Sequence, residues 1–81
     1  MLVSDEVQTF IRRVADVAAS LSDPQRAMLA RARREWLAHP PRCYGPTNTR
    51  KALRDRGLAH GDCCYLTPFG IEVRKLILDD A

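Results

Sequence analysis

The sequence predicts a mainly α-helical domain of about four helices with one small β-hairpin, the hairpin belonging to a short sheet of two or three strands. Three observations carry that expectation. Apolar residues recur at three-and-four spacing in four separate stretches, the mark of helices with one buried face. Side chains that cap helices, followed by acid or proline, stand ahead of three of these stretches: Ser4-Asp5-Glu6, Ser22-Asp23-Pro24 and Thr67-Pro68. Between the last two helices, Leu58-Ala59-His60 and Cys63-Cys64-Tyr65-Leu66 flank Gly61-Asp62, a glycine-led turn that suits a two-residue type II′ hairpin. All 81 residues read as a single domain, short enough that only about 60% of the unfolded surface is buried and the core is thin.

The first helix is expected over 4–20. Ser4 is its N-cap, Asp5 and Glu6 complement the helix dipole, and Val7, Phe10, Ile11, Val14, Val17, Ala18 and Leu21 form its apolar stripe. That stripe is wide for an edge helix. It serves either the domain's own core or, through Val7, Phe10, Ile11 and Val14, an interface with a second copy or another protein. The second helix starts at Ser22 or Asp23 with Pro24 in its first turn and runs to about His39, where Pro40-Pro41 stops it. Its inner face is Met28, Leu29, Ala32, Trp36 and Leu37, with Trp36 read as core. The connection 40–45 is extended, and Cys43 and Tyr44 are placed to form a brief strand against the later hairpin.

A third helix over 47–56 follows, with Thr47 as N-cap and Gly57 in the left-handed position that ends it. At 100° per residue, Thr49, Ala52, Leu53 and Arg56 lie on its inner side, and Thr47, Arg50, Lys51 and Arg54 on its outer side with Asn48 and Asp55 at the edge. A short helix with a basic, amide-bearing outer face fits a DNA groove, and equally an ordinary solvated surface. The last helix, 68–78, is expected to bury Phe69, Val73, Leu76 and Ile77; Asp79 and Asp80 oppose its dipole and predict fraying. The four glycines are read as turn residues.

Charge is unevenly distributed. The net charge of +3 resolves into −1 over 1–21, +6 over 22–60 and −2 over 61–81. A basic cluster of this kind is the electrostatic footprint of a polyanion partner. No run of roughly 18 apolar residues is present, which argues against a membrane span, and residues 1–21 lack the basic start and apolar block of a signal peptide. Three cysteines, two of them adjacent, do not make a disulfide framework and point to a reducing cytoplasm.

The motifs sharpen this picture. Leu21-Ser22-Asp23-Pro24-Gln25-Arg26, the run Ala52-Leu53-Arg54-Asp55-Arg56-Gly57-Leu58-Ala59, and Tyr65-Leu66-Thr67-Pro68-Phe69-Gly70 together resemble, in order, the corresponding motifs of winged helix-turn-helix proteins of the MarR type and of small phage or prophage members. The resemblance covers about 21–78 and implies a winged-helix core with recognition helix 47–56, wing 58–66 and double-stranded DNA as partner. It implies base or backbone contacts from Thr47, Asn48, Arg50, Lys51 and Arg54, with Arg42 suited to phosphate, and the activity of a transcriptional regulator. Two departures are visible. The wing tip, Gly61-Asp62, is short and acidic rather than arginine-bearing, and HPPRCYG stands where the motif's short second helix is expected. A short-winged scaffold suits a protein-interaction module as the alternative, docking on polymerase, a repressor or itself.

Other chemistry finds little purchase. His39, Cys43, His60, Cys63 and Cys64 lack paired metal-ligand spacing and read as core residues and a surface histidine, so no metal or cofactor is expected. No nucleophile elbow, phosphate-cradling glycine loop or carboxylate pair is present, and the expectation is a non-enzyme.

Overall fold

The computed structural model describes residues 4–79. Its elements are α1 (Asp5–Ser20), α2 (Asp23–Ala30), α3 (Thr47–Asp55), β1 (Ala59–His60), β2 (Tyr65–Leu66) and α4 (Pro68–Asp79). The mainly helical class with one antiparallel hairpin is as expected.

The helix starts are set by local chemistry. Ser4 Oγ accepts from the Val7 amide at 3.3 Å. Ser22 makes a complete capping box: its Oγ accepts from the Gln25 amide and its own amide donates to Gln25 Oε1, at 3.3 and 3.2 Å. Thr67 Oγ1 accepts from the Gly70 amide at 3.0 Å and donates to the Gly57 carbonyl at 2.6 Å. That one hydroxyl starts α4 and ties it to the end of α3. The end of α3 is a full Schellman motif, with the Gly57 amide on Arg54 O and the Leu58 amide on Leu53 O, both at 3.0 Å. Gly57 sits at φ +78°, and the hydrophobic pair of the motif, Leu53 and Leu58, is fully buried.

Four expectations are corrected. First, α2 ends at Ala30 and does not reach His39. Its continuation is pre-empted by the sheet: Arg33 and Arg42 exchange backbone hydrogen bonds of 3.1 and 2.9 Å, and Arg42 bridges onward to Tyr65. Residues 34–41 become a loop on this stem. Trp36, read as core, is 66% exposed, and Leu37 is 93% exposed. Second, the segment pairing with the hairpin is centred on Arg42 rather than on Cys43-Tyr44. Leu66 donates to Pro41 O and Cys43 to Cys64 O, at 2.9 and 3.0 Å. Third, the hairpin turn has four residues, Gly61 to Cys64, in the register Ala59↔Leu66 and His60↔Tyr65. Cys64 takes a left-handed φ of +55°, which turns its side chain fully into the core while its carbonyl receives Cys43. Fourth, Thr47 is the first helical residue of α3, not its cap. Pro46 holds the cap position with no side-chain bond to the free amides.

The core lies where α1 and α2 meet α3, the hairpin and α4. Leu29, Leu53, Leu58, Leu66, Val73, Cys43 and Cys64 are its fully buried members. Phe69 and Leu76, expected inside, are only partly buried; Phe69 meets Phe10 edge-on at 6.0 Å between centroids. Gly70 is helical rather than a turn residue, and it packs against the Leu58 backbone so closely that a Cβ would fall on the carbonyl oxygen. Asp79 closes α4 as its last helical residue, while Asp80 lies outside the described residues.

Candidate nucleic-acid interface

The outer face of α3 is open. Thr47, Asn48 and Lys51 are exposed, and Arg50 and Arg54 are half-buried. Arg50 reaches back to Thr47 Oγ1 at 3.3 Å, and Arg54 donates to Gly61 O of the hairpin turn at 3.3 Å. The two arginines therefore lie along the protein surface with nitrogen atoms left over, while Asn48 and Lys51 have no hydrogen bond from their side chains to the protein among the described residues. The amides at the start of α3 have no side-chain cap, so the positive end of the helix dipole adds to the same face.

Arg42 is partly buried and structural as well as basic. Its Nε donates to Cys63 O at 2.9 Å, and its guanidinium lies 4.9 Å from the centre of the Tyr44 ring, with Arg33 on the same ring at 5.0 Å. Glu35 beside the Tyr44 hydroxyl raises its pKa, which the two arginines partly oppose. Pro24, Met28, Arg31, Arg33, Tyr44 and Thr49 line an open groove of about 530 Å³ that leads from the stem of the 34–41 loop to the start of α3.

The remaining arginines are used in a way the sequence does not announce. Arg26 donates to Ala18 O at 3.1 Å, and Arg56 donates to Ser20 Oγ and O at 2.8 and 3.5 Å. Both sit at the negative end of α1. Arg31 donates to Ala27 O and Arg74 to Ala32 O, at 3.3 and 3.1 Å. Among the described residues the one ion pair is Lys75 with Glu72 at 3.2 Å. These four arginines are thus held by neutral oxygen atoms, which fix their positions without cancelling their charge. The basic middle third keeps its field.

On α1, Val7, Phe10 and Ile11 are exposed by 48, 42 and 58%. Val14 packs in the chain's own core and also lines the groove beside these residues. Phe10, Ile11, Ala15 and Leu76 line a shallow groove of about 350 Å³ between α1 and α4, edged by Glu72, Lys75 and Asp79.

The residues considered as metal ligands have other surroundings. Cys43 and Cys64 are in the core, and burial beside Cys64 pushes the Cys43 thiol up to about 12. His39 stacks on Tyr65 at 5.3 Å. Among the described residues no group of three or more His, Cys, Asp or Glu is placed to hold a metal ion, and no helix is long and apolar enough to cross a membrane.

Sequence reasoning missed the 34–41 loop, the Tyr44 arginine stack and the arginines at helix ends. Pro40-Pro41 is the one available signal for the first, and it fits the end of a long helix equally well. Comparison with protein-family models, with curated proteins and with solved structures finds no match for this chain.

Proposed function

We propose that this chain is a small winged-helix-type DNA-binding protein, acting in the cytoplasm as a transcriptional regulator, that reads duplex DNA with the outer face of α3. The observation that carries the reading is that Asn48, Arg50, Lys51 and Arg54 share an open face whose positive charge is not neutralised by any carboxylate contact among the described residues. In a major groove, Arg pairs bidentately with guanine, Asn with adenine, and Lys with a base edge or a phosphate. The element order α2, α3, hairpin and α4, with a backbone bridge between the connection and β2, supports a winged-helix arrangement. HPPRCYG, residues 39–45, stands where the resemblance implies a short helix before the recognition helix, and it is not helical. The hairpin turn, with Asp62 at its tip and Gly61 engaged by Arg54, is not counted as a DNA contact.

Binding to a mixed-sequence duplex at two salt concentrations tests this. Affinity should fall steeply with salt. Lys51→Ala should weaken binding and lower the log–log salt slope by about 0.9 for each phosphate that is no longer neutralised. Asn48→Ala should instead relax sequence preference at one base pair, at a cost of about 1–3 kcal/mol. Salt-insensitive binding, or variants that bind like the parent, would refute the reading.

The exposed Val7, Phe10 and Ile11 favour a second reading, a protein-interaction module that pairs with another copy through α1. Sedimentation of the parent against Ile11→Asp separates the two: loss of a dimer in the variant supports pairing, and a monomeric parent removes it.

A further inference from the structure

The 34–41 loop has an unusual design for a segment with no assigned role. Its stem is short but firm, two backbone hydrogen bonds between Arg33 and Arg42, with Arg42 pairing again to Tyr65. Both stem guanidiniums stack on Tyr44, three residues ahead of α3. His39 is anchored on Tyr65 and its amide donates to Trp36 O at 3.0 Å, which folds the tip back on itself. The tip then presents Trp36 and Leu37 largely to solvent. An exposed tryptophan beside an exposed leucine forfeits the burial that such large apolar side chains ordinarily find. Four arginines, at 31, 33, 34 and 42, flank this tip in the sequence, with Glu35 as the one acid of the segment.

Charge decides what such a tip meets. A net +3 over twelve residues repels another copy of the same basic surface and suits a polyanion. The groove lined by Arg31, Arg33, Tyr44 and Thr49 makes this surface continuous with the start of α3. We propose that the 33–42 loop is a second DNA-contacting element, with its arginine stem on phosphates beside the α3 contact and its Trp36-Leu37 tip against the flanking minor groove. The inference rests on the DNA-binding reading of α3. It gives the loop the work that the acidic hairpin turn does not do. Apolar side chains inserted at base steps are an established way of gripping a minor groove, and aromatic stacking on a base is sequence-tolerant.

Trp36 is the only tryptophan in the chain, so its fluorescence reports on the tip alone. The experiment titrates the full chain with a labelled mixed-sequence duplex of about three helical turns. Duplex anisotropy, Trp36 emission and acrylamide quenching are followed together. The expected result is a blue-shifted or quenched Trp36, protected from acrylamide, at the same duplex concentration that saturates anisotropy. Trp36→Ala should weaken binding by about fivefold to a hundredfold, the range for losing one stacked base, and Trp36→Phe should restore most of it. Arg34→Ala should lower the salt dependence as well as the affinity. If the duplex binds while Trp36 emission and quenching stay unchanged, the loop proposal is overturned and the α3 reading stands. If no duplex binding occurs, both fall. If Trp36 becomes protected in DNA-free protein as its concentration rises, the tip is a contact between copies and the proposal is overturned.

Discussion

Single residues in this protein carry more than one duty, and the cysteines show it well. Cys43 and Cys64 fill core positions as small apolar side chains, yet Cys64 also supplies the left-handed residue that closes the hairpin turn and the carbonyl that receives Cys43. Burial, with Cys64 alongside, lifts the Cys43 thiol from 9.0 to about 12. The folded state therefore holds this proton where the unfolded chain releases it. The Cys43 contribution to stability should be constant below about pH 9 and be lost as pH rises from 9 toward 12, with a limiting slope of about 1.4 kcal/mol per unit for one proton. Urea titrations across that range check it, and Cys43→Ala should show a shallower alkaline decline than the parent. The arginines likewise do two things at once. Arg26 and Arg56 occupy the carbonyl end of α1 while keeping their charge, a use that composition cannot reveal because every arginine counts alike.

At the scale of elements, the joint between α3 and α4 is the most constrained part of the fold. Gly57 ends α3, Leu58 returns to the core, Thr67 bonds across to Gly57, and Gly70 lets α4 approach the Leu58 backbone. The two glycines should respond differently to a methyl group. At Gly57 the added Cβ meets nothing, so Gly57→Ala costs only the left-handed strain, about 1–2 kcal/mol. At Gly70 the methyl meets a backbone carbonyl that cannot swing away, so Gly70→Ala should cost about 3 kcal/mol or more, at or beyond the upper end for overpacking. Chemical denaturation of the two variants side by side checks the order; equal losses would refute it. The 34–41 loop stands at the other extreme, with its tip side chains outside the core. Its helical spacing is real, but spacing reports a potential face and not the partner that the face needs.

For the whole molecule, apolar exposure falls in two places, Trp36 and Leu37 on the basic loop and Val7, Phe10 and Ile11 on α1. The basic surface runs from the 33–42 loop to α3, and the exposed apolar residues of α1 lie elsewhere, beside α4. Because the arginines rest on carbonyls rather than carboxylates, salt screens repulsion among them more than it screens attraction. Raising sodium chloride should therefore increase the melting temperature of the free protein, while it weakens DNA binding. Thermal melts at low and moderate ionic strength check the sign; a fall in melting temperature would mean that long-range attractions dominate instead.

Local chemistry made much of this protein legible in advance. The caps at Ser4, Ser22 and Thr67, the Gly57 stop and the outer face of α3 each depend on residues within one or two turns of the chain, so the sequence by itself determined them. The end of α2, the exposure of Trp36, the four-residue hairpin turn and the place of Gly70 were decided only by tertiary structure. Each depends on a backbone segment distant in sequence: Arg42 and Tyr65 for the loop stem, Cys43 for the turn, Leu58 for the glycine. Side-chain spacing carries no record of which backbone groups will pair across the fold. At 31–42 that pairing overrode a good helical pattern and left the basic, tryptophan-tipped loop beside α3.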